Sequence, residues 1–112
     1  MKKIEATIRP SKFDEVMESL IAVGAIGMTV SEIHSYGRQK DRVELYRGVK
    51  YAIEFQPRLK LEILVEDEIC SEMVEHLILA AQTGAIGDGK IFVSPSDQVL
   101  RIRTGEVNQE AL

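Results

Sequence analysis

The sequence predicts an α+β domain in which one antiparallel sheet is covered on a single face by two helices. Three observations carry that expectation. Apolar residues alternate in steps of two around 3–9, 28–33, 59–65 and 90–93. They recur at helical spacing through 13–21 and 69–81. The segments follow one another as strand, helix, strand, a long unpatterned stretch, then strand, helix, strand.

Each element has its own local cause. In the first strand Ile4, Ala6 and Ile8 share one face, while Lys3, Glu5, Thr7 and Arg9 take the other. Pro10-Ser11 ends it, and Ser11 with Asp14 has the spacing of a capping box. Phe13, Val16, Met17, Leu20 and Ile21 form a helical stripe that Gly24 closes as a C-cap. The second strand covers Met28–Ile33, and its apolar phase slips between Val30 and Ile33, which predicts a bulge.

Residues 37–54 show no dependable period and read as a long mobile loop between the second and third strands. Leu45, Tyr46, Val49, Tyr51 and Ile53 make it too apolar for a solvating linker, so it reads as a docking segment. Leu59, Leu61, Ile63 and Val65 define the third strand. Ile69, Met73, Leu77 and Ala80 define a second helix that ends at Thr83-Gly84, with Asp67 and Glu68 complementing its dipole. Lys90–Val93 is the fourth strand, stopped by Pro95, and Val99–Arg103 reads as a short final strand. Two split β-α-β halves make a ferredoxin-like β-α-β-β-α-β sandwich. Its uncovered face carries Thr7, Arg9, Thr29, Glu62 and Leu64, a mixed surface that points to burial against another subunit.

At 112 residues the chain is one domain, 1–112, with room for one hydrophobic core. Its 45% apolar and 29% charged content is that of a soluble globular protein, and a net charge of −4 argues against nucleic-acid binding. Cys70 is the single cysteine, which leaves no disulfide framework and no thiolate metal site. No run approaches the length of a membrane span and no apolar segment follows Met1-Lys2-Lys3, so a cytoplasmic protein is expected.

The chemistry concentrates in Thr83-Gly84-Ala85-Ile86-Gly87-Asp88-Gly89-Lys90, whose Gly84–Lys90 fits G-x-x-x-x-G-K. Ile91 stands where a nucleotide hydrolase needs a magnesium-binding hydroxyl, and the loop runs from helix to strand rather than from strand to helix. The pattern therefore predicts a loop that holds phosphate without cleaving it. Arg101 and Arg103, two apart on the last strand, are expected to point the same way and suit phosphate or carboxylate. An exposed pair bonded to nearby acids is the alternative. Gly37-Arg38-Gln39-Lys40 adds two cations and an amide oxygen able to ligate a metal. His34 and His76 lack metal-spaced partners, and no Ser-His-Asp or Cys-His arrangement is present. No catalytic residue is expected, and slow ATPase activity has only the Walker-like look of the loop behind it.

Taken together, the motifs resemble the PII nitrogen-regulatory signal-transduction proteins. The resemblance rests on Met1–Pro10, Gly27–Val30, Gly37–Lys40, Glu44–Gly48, Thr83-Gly84, Ile86–Pro95 and Arg101–Glu106. It implies a homotrimer that binds ATP or ADP in the clefts between subunits. Gly87, Asp88, Gly89, Lys90, Arg101, Arg103 and Arg38 would hold the phosphates, and Thr29, Glu62 and Leu64 the adenine. It further implies Mg2+–ATP assisting 2-oxoglutarate binding, with Gln39 as metal ligand and Lys40 and Arg58 near the carboxylates. Targets would be an ammonium transporter, a nitrogen-metabolism enzyme or a transcriptional regulator, docked through 37–54. A membrane would be met only through a transporter partner. Tyr51 matches a tyrosine that is uridylylated in some members. Arg58 replaces the family's carboxylate-gripping lysine and Asp41 a common glycine. These departures motivate an alternative, a divergent paralogue that senses a different carboxylate or none.

Overall fold

The structure, a computed structural model, describes residues 1–36, 45–46, 49–50 and 55–112. Its elements are β1 (Lys2–Ile8), α1 (Phe13–Val23), β2 (Thr29–Ser35), β3 (Leu45–Tyr46), β4 (Val49–Lys50), β5 (Gln56–Val65), α2 (Asp67–Ala81) and β6 (Ile91–Pro95). The main sheet has the order β2-β5-β1-β6, and every neighbouring pair is antiparallel. This is the expected ferredoxin-like arrangement.

Strand alternation builds the core from one sheet face. Ile4, Ala6 and Ile8 of β1 and Leu61, Ile63 and Val65 of β5 are buried with Val16 and Leu20 of α1. Cys70, Met73, Leu77 and Ala81 of α2 complete the cluster. Burying a Leu or Ile completely is worth roughly 1.5–3 kcal/mol, so this one layer is the main stabilising term. Gly24 ends α1 in the left-handed region at φ 115°, where its amide and that of Ala25 both reach the Leu20 carbonyl.

Three local expectations need correction. Pro10–Lys12 forms a 3-10 turn ahead of α1, so the N-cap falls on Lys12 without a side-chain cap, and the Ser11–Asp14 box does not form. No bulge interrupts β2, whose register runs from Thr29 opposite Glu62 to Ser35 opposite Gln56. The slipped phase reflects an edge strand instead. Val30 lies opposite buried Leu61 yet is 41% exposed, and Ile33 lies opposite Arg58 on the uncovered face. Within 37–54, β3 and β4 pair antiparallel, as strand-forming Leu45-Tyr46 and Val49 allow.

The last correction concerns the C-terminal segment. Val99–Arg103 is not a strand. Leu100 makes an isolated bridge to Val107, and the chain turns between them. The Gly105 amide donates to the Arg101 carbonyl at 2.7 Å, and the Arg101 amide to the Glu106 carbonyl at 2.9 Å. Gly105 makes this turn at φ 73°, a conformation that favours glycine. The same-side expectation for Arg101 and Arg103 falls with the strand.

Candidate functional site

The glycine loop joins α2 to β6, and its form is set by one carboxylate. Asp88 Oδ2 accepts the amides of Thr83 at 2.8 Å and Gly84 at 2.9 Å. Its Oδ1 accepts the Thr83 hydroxyl at 2.5 Å and Arg9 Nε at 3.0 Å. The second prong of Arg9, Nη2, donates to the Ile86 carbonyl at 2.9 Å. The Thr83 hydroxyl and amide, then Arg9 and the Gly84 amide, hold the Asp88 carboxyl well below the usual carboxylate range, against the burial that would raise it.

Glycine is required where the loop meets the sheet. Gly87 and Gly89 take φ 100° and 102°, flanking Asp88. A Cβ on Gly89 would lie 1.7 Å from the Thr7 carbonyl oxygen. One residue on, the Thr7 amide donates to the Lys90 carbonyl at 2.9 Å. The loop is thus laid directly against the end of β1. Among the described residues, the Gly87 and Gly89 amides have no acceptor, and backbone donors beside a lysine suit an anion.

These residues line a cleft of about 560 Å³ at one end of the uncovered sheet face, with Thr7, Tyr36, Arg58, Lys90 and Phe92 among its walls. Tyr36 also meets Phe55 ring to ring, centroids 6.1 Å apart. Arg58 Nη1 donates to the Pro57 carbonyl at 2.7 Å. Ile91, where a hydrolase would carry its hydroxyl, lies opposite Ala6 on the helix side and packs against the core. No side chain at that position would reach the cleft.

A second cleft of about 630 Å³ occupies the other end of the same face, lined by Lys3, Met28, Thr29, Glu62, Leu64 and the C-terminal residues. Here the chemistry is carried by side chains. Glu5 and Glu62 stand directly opposite across β1 and β5, an unfavourable like-charge pair taken alone. Lys3 Nζ bridges them at 3.0 and 3.3 Å, and Lys60 Nζ approaches Glu62 at 3.4 Å. The Lys3 contact first, then Lys60, lowers the Glu62 pKa, while the Glu5 and Glu62 contacts raise that of Lys3.

Thr29, Glu62 and Leu64 therefore sit together, and Gly87, Asp88, Gly89, Lys90 and Arg58 sit together, but the two groups occupy opposite ends of one face. Arg101 is engaged by Glu106 at 3.4 Å and by the Leu112 carbonyl at 2.9 Å, and Arg103 is exposed on the turn. Arg38, Gln39, Lys40 and Tyr51 lie outside the described residues. Sequence reading missed Arg9 and the inward role of the Asp88 side chain. The antiparallel pairing of β1 with β6, which brings the end of β1 to the loop, is the signal that could have found them.

The family model described as Nitrogen regulatory protein P-II matches residues 1–106. The chain belongs to the P-II family. A Nitrogen regulatory protein P-II of Microchaete diplosiphon is 57% identical to it, with all of both chains covered. Over the same full coverage, the protein of that name from Haemophilus influenzae and Nitrogen regulatory protein P-II 1 of Escherichia coli are each 53% identical. As a P-II protein the chain falls among regulatory signalling proteins. Among its described residues no helix is long and apolar enough to cross a membrane.

Proposed function

We propose that this P-II protein is a non-enzymatic, cytoplasmic sensor of nitrogen, carbon and energy state that binds ATP or ADP, with Mg2+ and 2-oxoglutarate accompanying ATP. The observation that carries the reading is the division of the expected ligand residues between two clefts at opposite ends of one sheet face. The glycine-loop end of one copy set against the Glu62 end of the next would join the two groups of residues into one site. Repeated around a ring, this head-to-tail contact would close, and the family resemblance supports a homotrimer. Arg101 and Arg103 follow the Glu62 half, since Leu100 lines that cleft.

Within such a site the glycine-loop amides and Lys90 take the phosphates, and Thr29, Glu62 and Leu64 the base. Magnesium would draw on phosphate oxygens, water and, by the family resemblance, Gln39, in keeping with its preference for oxygen ligands. Arg58 lies in the phosphate cleft, where it supports 2-oxoglutarate or a related dicarboxylate near Lys40. Ligand state is passed through 37–54 to a target such as an ammonium transporter or a nitrogen-metabolism enzyme, and Tyr51 offers a position for modification. Ile91 faces the core, which supports holding nucleotide over hydrolysing it.

Calorimetry with ATP and ADP, with and without Mg2+ and 2-oxoglutarate, tests the proposal. Binding is expected, with Lys90→Ala and Arg103→Ala each weakening it at least tenfold and Tyr51→Phe leaving it intact. An absence of nucleotide binding at millimolar concentration would sink it. A second reading, a paralogue that senses a different carboxylate, is favoured by Arg58 in place of lysine. ATP binding that is enhanced by another small dicarboxylate and not by 2-oxoglutarate would select it.

A further inference from the structure

We propose that Arg9 is a positioning residue that lets an anion-binding loop contain a carboxylate. The inference deepens the nucleotide reading and rests on it. The problem it answers is electrostatic. Asp88 lies between two left-handed glycines and lines the same cleft as they do, so an uncompensated negative charge there would oppose a polyphosphate. The structure resolves this by saturating the carboxylate with donors from the loop and from Arg9. A carboxylate has about four lone-pair positions, and four donors meet this one: the Thr83 amide, the Thr83 hydroxyl, the Gly84 amide and Arg9 Nε. Only Arg9 among them brings a positive charge.

The guanidinium does a second thing that a point charge cannot. While Nε meets Asp88, Nη2 holds the Ile86 carbonyl, so one planar group fixes the loop on both sides of Gly87. Arg9 follows β1 directly and precedes Pro10, whose ring restricts the backbone at residue 9 to extended conformations. Its observed φ and ψ, −67° and 137°, obey that restriction. The residue that follows one of the two inner strands of the sheet thus carries the charge that neutralises the loop. Arg9 need not touch the ligand.

A charge role and a merely structural role differ in one readout: how the loss depends on phosphate number. Arg9→Gln keeps a hydrogen-bond donor and removes the charge; Arg9→Lys keeps the charge and removes the two-pronged contact. Affinities for ATP, ADP and AMP are measured at low and high salt, with circular dichroism and oligomeric state as controls on folding. Arg9→Gln is expected to lose at least tenfold for ATP, less for ADP and least for AMP, with the spread narrowing as salt screens the charge. Arg9→Lys is expected to keep ATP within about threefold of the parent protein by retaining the neutralising charge.

Equal losses for all three nucleotides, or an unchanged ATP affinity in a folded Arg9→Gln protein, would overturn the proposal while leaving nucleotide sensing intact. Should Arg9→Gln not fold, Arg9→Lys carries the test: retained ATP affinity supports the charge role, and a uniform tenfold loss across the series refutes it. A parent protein that binds none of the three at millimolar concentration refutes both this inference and the reading on which it rests.

Discussion

The two ends of the uncovered sheet face are built from different materials. At the glycine-loop end the candidate donors are backbone amides, in a loop shaped by left-handed glycines and tied together by the Asp88 carboxylate. At the Glu62 end the groups are side chains on rigid strands, kept ionised by a ladder of Lys3, Glu5, Lys60 and Glu62. The difference predicts opposite vulnerabilities. A backbone-built site fails when atoms are added, and a side-chain-built site fails when charge is removed.

The largest expected effect tests the first half. Gly89→Ala places a Cβ against the Thr7 carbonyl and forces alanine to φ 102°. Strain of this kind costs on the order of 1–3 kcal/mol before the clash is counted, and the loop must leave β1 to relieve it. Urea denaturation is expected to show a loss of at least about 2 kcal/mol, together with loss of nucleotide binding. Full stability and binding in this variant would mean that the close approach at Thr7 is dispensable.

Glu62→Gln tests the other end and is expected to be milder in stability than Gly89→Ala, because the ladder is solvent-accessible and screened. Its effect is expected in selectivity. Removing the carboxylate lowers affinity for ATP about tenfold, roughly the worth of a charge-assisted hydrogen bond, while a nucleotide lacking an exocyclic amino group at the same position loses little. Equal losses for both nucleotides would detach Glu62 from base recognition.

The smallest effect is in pH, and its sign is the same for both ends on the acid side. Asp88 and Glu62 have lowered pKa values in the folded chain, so their contributions are present above the unfolded carboxylate values near 4 and fade as pH falls below them. Lys3 has a raised pKa, so its contribution is present below the unfolded lysine value near 10.4 and is lost at higher pH. Stability is therefore expected to owe little pH dependence to these three groups between about pH 5 and 9. A loss of stability inside that window in thermal melts would overturn this expectation.

How legible this was depends on the range of the interaction. Period-two and helical patterns were enough to find β1, α1, β5 and α2, because each presents one continuous face to the core. Edge strand β2 misled, since Val30 and Ile33 sit on opposite faces where neither is fully covered. The C-terminal alternation misled as well, because Gly105 turns the chain back before Arg103 can join a ladder. Within the candidate site, the glycines and Lys90 were visible as a motif. Arg9 was not, because it meets Asp88 across 79 residues of sequence and only the β1–β6 pairing brings them together.

If copies join as proposed, with the glycine-loop cleft of one against the Glu62 cleft of the next, the arithmetic of assembly has a consequence. Copies joined end to end in an open row complete one site fewer than there are copies, since the outermost cleft at each end lacks its complement. Only a closed ring makes the two numbers equal. Adding the copy that closes a trimer therefore completes two sites in one step, where the copy before it completed one. Any ligand that requires both halves would reward closure more than growth, and ligand concentration and assembly would then be two readings of one equilibrium.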